Sequence, residues 1–164
     1  MESVVIPTNT LSISGLLARE RIRVGLDVET REDVIDAVVN LLGGWPEVND
    51  LEQLREDVFA RERVMSTGVG RGLALPHART TAASNTLLAF AVTKKPVDFG
   101  ALDGDPVRII LLLVGPEKER VMHVRLLGRI SRMMNEADFR SRLLDAESEE
   151  EVIDVFRKAE EAYG

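Results

Sequence analysis

Val107-Arg108-Ile109-Ile110-Leu111-Leu112-Leu113-Val114 is the stretch that decides the fold. An apolar run this rich in β-branched residues fits a strand buried on both faces, the signature of a central strand covered by helices. Turns bound it, with Asp103-Gly104-Asp105-Pro106 before and Gly115-Pro116 after. Leu87–Thr93 is a second run of the same kind, and Lys94-Lys95-Pro96 is expected to break it.

The flanking segments supply the covering layers. Ile22, Val24, Leu26 and Val28 alternate with polar residues or Gly25, the period of a half-buried strand. Thr30 follows as a helix N-cap, with Glu32 and Asp33 in the first turn, where the helix dipole favours negative charge. Val34, Ile35, Val38, Leu41 and Leu42 form that helix's apolar stripe, which stops at Gly43-Gly44. A second helix is expected from about 49 to 63, with Leu51, Leu54 and Val58 inward. A long helix from about 117 carries Leu126, Leu127, Ile130, Met133 and Met134 on one face. Helical segments follow around 137–144 and 149–162. Ser148-Glu149-Glu150-Glu151 opens the last as a capping box, in which Ser148 and Glu151 satisfy each other's N–H groups. The pattern predicts a single α/β domain: a mixed central β-sheet flanked by helices on both faces, an α/β/α sandwich. Residues 1–9 are expected to be a flexible N-terminus and 10–164 the domain.

Composition narrows the functional classes. The 164 residues are 45% hydrophobic and 30% charged, enough for one sizeable core. Without cysteine there is no disulfide framework, thiol nucleophile or Cys-based zinc site. A net charge of −7 argues against nucleic acid as a partner. Apolar runs are too short to insert into a membrane, and the N-terminus lacks a secretory pattern. A cytoplasmic protein is expected.

Two histidines carry the chemistry. His77 ends the stretch Ser66-Thr67-Gly68-Val69-Gly70-Arg71-Gly72-Leu73-Ala74-Leu75-Pro76-His77. Glycines at every second position, Gly68, Gly70 and Gly72, let backbone N–H groups approach an anion, and a neutral imidazole beside them is a competent nucleophile toward phosphorus. The glycine string is neither a dinucleotide-binding fingerprint nor a Walker loop, and taken alone it is as readily a tight bend. Pro76 fixes the entry dihedral, and small Ala74 and Ala78 are expected to leave the ring accessible. His123 shares a helical face with Leu126, Leu127, Ile130 and Met134, so it points inward at the carboxyl end of the Val107–Val114 strand. Spacing alone favours a satisfied core histidine there, with hydrogen bonding to a phosphoryl oxygen as the functional reading. A two-histidine metal site ranks low, since no third ligand clusters with the pair. Arg61, in Arg61-Glu62-Arg63, lies near the turn leading to His77; spacing leaves open whether it clamps phosphate or faces solvent.

These residues resemble a known signature. Ala60-Arg61-Glu62 and the string Ser66–His77 are similar to the active-site region of the enzyme IIA components of the bacterial phosphoenolpyruvate:sugar phosphotransferase system. The resemblance is to the fructose/mannitol group with its nitrogen-regulatory relatives. Pro96-Val97-Asp98-Phe99, Leu102-Asp103-Gly104, Gly115-Pro116-Glu117 and His123 extend the similarity from about residue 11 to the C-terminus. It implies that His77 becomes phosphorylated, that His123 assists by hydrogen bonding, and that Arg61 lies near the site. It further implies that Thr67, Gly68, Gly70 and Gly72 form the phosphate-binding loop. The donor would be HPr or a paralogue, and the acceptor an enzyme IIB or a regulatory target. The phosphoryl group would come ultimately from phosphoenolpyruvate, with no cofactor and no metal. The family fold is a mixed sheet flanked by helices. A regulatory binding module, using phosphorylation as a signal, is the competing reading.

Overall fold

The computed structural model describes residues 12–163, so the stretch expected to be flexible, 1–9, lies outside the described residues. The chain builds β1 (Ile22–Leu26), β2 (Gly68–Gly70), β3 (Leu73–Ala74), β4 (His77–Arg79), β5 (Leu87–Val97) and β6 (Val107–Gly115). Its helices are α1 (Ile13–Leu16), α2 (Arg31–Asn40), α3 (Leu51–Val64), α4 (Arg120–Met134), α5 (Ala137–Asp145) and α6 (Glu149–Tyr163).

The two apolar runs pair with each other at the centre of a mixed sheet. β5 and β6 are antiparallel, in register from Leu87 opposite Val114 to Val92 opposite Ile109. β1 adds parallel to the far side of β5. The far edge of β6 is shared in tandem: β3 pairs parallel with Ile109 and Ile110, and β4 pairs parallel with Leu113, Val114 and Gly115. Leu75-Pro76 separates these two short strands. Pro76 has no N–H to give, but its carbonyl accepts from Leu113 N at 3.0 Å and carries the chain into β4. β2 completes the path as the antiparallel partner of β3.

Alternation along β5 and β6 divides the core between the faces. Ala89, Ala91, Ile110 and Leu112 meet Val34, Val38, Leu54 and Val58 of α2 and α3. Leu88, Phe90, Ile109, Leu111 and Leu113 meet Leu126, Ile130, Leu143 and Phe156 of α4 to α6. Phe156 stands edge-on to Phe90 at 5.4 Å and to Phe139 at 5.2 Å. Helices therefore cover both faces, as the doubly buried strands require.

Side chains cap the starts of α2 and α3, the first as expected at Thr30. Thr30 Oγ1 accepts from Asp33 N at 3.1 Å, and Asp50 Oδ1 accepts from Gln53 N at 3.1 Å. Two expectations need correcting. Lys94-Lys95-Pro96 does not break β5; the ladder shifts register between Val92 and Val97 and resumes with Val97 opposite Val107, an irregularity that tolerates a proline. At α6, Ser148 Oγ accepts from Glu151 N, but the Glu151 carboxylate reaches back to Glu147 N at 2.8 Å, one residue earlier than a reciprocal box requires.

Candidate active site

β4 and the head of α4 bring the two histidines together. β4 is only three residues long, yet its pairing to β6 fixes which way each side chain points, with Ala78 on the α2/α3 side and His77 and Arg79 on the other. After Gly115 a short 3-10 turn, Glu117–Glu119, leads into α4. Glu119 anchors that turn by accepting from Thr86 N and Thr86 Oγ1, both at 2.7 Å. Four residues later His123 points inward, only 4% exposed. Its ring lies 5.8 Å from the half-buried ring of His77, inclined at 60°. Ala74 and Ala78 are buried in the core beneath α2 and α3, on the side of the sheet away from the ring.

The protonation state of His77 follows from one contact. Its Nδ1 lies 2.8 Å from Leu75 O. A carbonyl oxygen only accepts, so in the neutral ring Nδ1 carries the hydrogen and Nε2 carries the lone pair. Burial pushes the His77 imidazole below its ordinary value; the Leu75 carbonyl opposes this, Arg61 reinforces it, and Glu62 and Arg79 add smaller effects of opposite sign. His123 is pushed down to about 4, first by burial, then by the neighbouring His77 and Arg79, with Glu117 opposing. Both rings are uncharged at neutral pH. His123 Nδ1 is buried and makes no hydrogen bond with any described residue.

Arg61 lies in the last turn of α3 and donates to Met65 O at 3.0 Å; its charge reaches the His77 ring. Thr67 is buried, and both its N–H and its hydroxyl are taken by the buried carboxylate of Glu62. The Gly68 N–H goes to Ser66 Oγ at 3.0 Å, and a Cβ there would meet Ala101 Cβ at 3.0 Å, so close packing explains this glycine.

Gly70 and Gly72 are not brought to His77. With Arg71 they form the tight β2–β3 turn, three successive residues at positive φ (94°, 60° and 79°). Gly72 O accepts from Arg108 N and Ile109 N at the beginning of β6, whereas His77 lies opposite Leu113. The offset from Ile109 to Leu113 corresponds to about 13 Å along the strand. The expected cradle is a hairpin whose positive φ angles suit glycine.

Sequence reasoning missed Arg79 and Glu117. Arg79 stands two residues after His77 on the same face of β4, and its Nε lies 3.3 Å from Glu117 Oε2. A strand of three residues shows no alternation to read, so the sequence held no signal for Arg79. Among the described residues, no group of three or more His, Cys, Asp or Glu could hold a metal ion, and no helix is long and apolar enough to cross a membrane.

A neutral imidazole thus stands beside a second imidazole, within reach of the charges of two arginines, at the edge of a mixed sheet. Residues 15–159 match the family described as phosphoenolpyruvate-dependent sugar phosphotransferase system, EIIA 2, and the chain belongs to that family. It is 33% identical over 148 residues to the PTS system fructose-specific EIIABC component of Bacillus subtilis, covering 90% of this chain and 23% of that one. The chain thus spans about a quarter of that relative's length. It is 32% identical over 149 residues to the PTS system fructose-specific EIIA component of Haloferax volcanii, covering 91% and 97%. The crystal structure of nitrogen regulatory protein IIA-Ntr from Neisseria meningitidis superposes with a TM-score of 0.83 at 30% identity, covering 88% of this chain and 98% of that one. The mixed sheet and its two helical layers are those of the family.

Proposed function

We propose that His77 Nε2 accepts a phosphoryl group from the phosphohistidine of an HPr-like phosphocarrier and passes it to an enzyme IIB partner. The observation that carries this reading is the hydrogen bond from Nδ1 to Leu75 O, which leaves the lone pair of the neutral ring on Nε2. The Nε2 lone pair forms the new N–P bond as the donor's N–P bond breaks and its electron pair returns to the donor imidazole. His77 keeps its Nδ1 proton, so its ring gains positive charge that the Leu75 carbonyl stabilises. The depressed protonation of both rings keeps the nucleophile available at neutral pH.

His123 and Arg61 act on the transferring oxygens. His123, fixed by packing rather than by a hydrogen bond from Nδ1, supplies an N–H donor, and Arg61 supplies charge. Thr67 and Gly68 serve by shaping the α3–β2 connection beneath the site.

Incubation with phosphoenolpyruvate, the first enzyme of the system and the phosphocarrier tests the reading. Label is expected on His77 and lost in His77→Ala; label persisting in that variant would remove the assignment. A regulatory role is the second reading, favoured by the superposition on the Neisseria meningitidis nitrogen regulatory protein at a TM-score of 0.83. It predicts that the phosphorylated and unmodified forms bind different protein targets, without onward transfer to an enzyme IIB.

A further inference from the structure

We propose that Arg79 is a phosphoryl-oxygen clamp held in reserve by Glu117, leaving that carboxylate for the phosphoryl group once it reaches His77. The inference rests on the reading above and adds a residue and an exchange to it.

Position is the first argument. Arg79 and His77 face the same way from β4, fixed by the pairing of their strand to Leu113–Gly115 of β6. Their Cα atoms are about 7 Å apart at that spacing, within the reach of an arginine toward a group standing out from the ring. Its charge is felt by both His77 and His123. The planar guanidinium fork fits phosphoryl oxygens in pairs.

The ease of exchange is the second argument. The Arg79–Glu117 contact joins side chains that are 42% and 68% exposed, so water screens it and little holds it together. A phosphoryl group on His77 brings up to two negative charges against the single charge of Glu117. Glu117 is not stranded when Arg79 leaves, because Arg120 Nη1 lies 4.0 Å from its other oxygen. The rearrangement breaks no covalent bond; one ion pair replaces another while the N–P bond forms at His77.

The exchange also changes the surface. Glu117 opens the turn leading into α4, the helix on which Val121 and Val124 are 67% and 59% exposed. Arrival of the phosphoryl group releases a carboxylate on that rim, so a docking protein meets a different charge pattern in the two states.

Potassium phosphoramidate, an inorganic phosphoryl donor, tests this on the full chain without any partner protein. Phosphorylation of His77 and the pH titration of its phosphorus resonance are followed by NMR in wild type, Arg79→Gln, Arg79→Lys and Glu117→Gln. Arg79→Gln is expected to slow phosphorylation roughly tenfold and to move the phosphoryl ionisation to higher pH. Glu117→Gln, which frees the clamp, should speed phosphorylation about twofold and move the ionisation to lower pH. Arg79→Lys should recover part of the loss. A purely structural pair would make Arg79→Gln and Glu117→Gln shift both readouts in the same direction, which overturns the clamp, as does an Arg79→Gln profile matching wild type. Absence of phosphate on His77 in the wild type would bring down the carrier reading as well, which separates the two failures.

Discussion

β6 presents one edge to two short strands, and the two ends of that edge have become different things. At its beginning, the β2–β3 hairpin has its main-chain groups engaged: Gly72 O by Arg108 and Ile109, Arg71 N by Asp103 Oδ2, Gly68 N by Ser66 Oγ. At its end, β4 and the head of α4 leave polar groups open, with a lone pair on His77 Nε2 and an unpartnered Nδ1 on His123. Buried polar groups are ordinarily satisfied; Arg21 Nε, Glu47 Oε1 and Thr93 Oγ1 are further exceptions among the described residues, and the His123 exception is the one beside the His77 ring. Glycine density is highest at the hairpin, and there it serves backbone geometry. Chemistry belongs to the other end.

Substitutions at the two ends should separate accordingly. The largest effect is expected from His123→Gln, which should slow phosphorylation of His77 by about two orders of magnitude while moving the unfolding midpoint little. Loss of fold in that variant would return His123 to a purely structural role. Acid should distinguish the ends next. His123 titrates at about 4 in the folded chain, below the unfolded imidazole, so its stabilising contribution is complete above the unfolded value. That contribution is lost as pH falls from there through about 4, and is worth about 3 kcal/mol. Denaturant unfolding across that range should show the slope, and His123→Gln should flatten it.

The hairpin should respond in stability alone. Gly70 has φ of 94°, and an added Cβ would lie 2.9 Å from Asp103 Oδ2, so Gly70→Ala should cost about 1–2 kcal/mol. The rate of His77 phosphorylation, corrected for folded fraction, should stay at the wild-type value; a tenfold fall would join the hairpin to the site. The smallest effect is expected from Arg71→Gly. It relieves a side chain at φ 60° but loosens the unfolded chain, for a net change under about 1 kcal/mol.

Much of this was legible because it depended on local pattern. Long apolar runs identify β5 and β6, and Thr30 and Asp33 mark the start of α2. The helical offsets from His123 to Leu126 and Ile130 place its ring on the buried face of α4. What was not legible depends on how β3 and β4 divide one edge of β6. Gly72 and His77 are five positions apart in the chain, and only the tandem pairing shows that they reach opposite ends of the strand. Arg79 escaped notice because β4 is too short to display alternation. The run Lys94-Lys95-Pro96 reads as a break because a register shift leaves no local signal.

Nitrogen-15 NMR of His77 before and after phosphorylation tests the central claim most directly. At neutral pH the account predicts a neutral ring protonated on Nδ1, and after reaction a phosphorus–nitrogen coupling to Nε2. A proton on Nε2 in the resting protein, or phosphorus bonded to Nδ1 or to another residue, would contradict it.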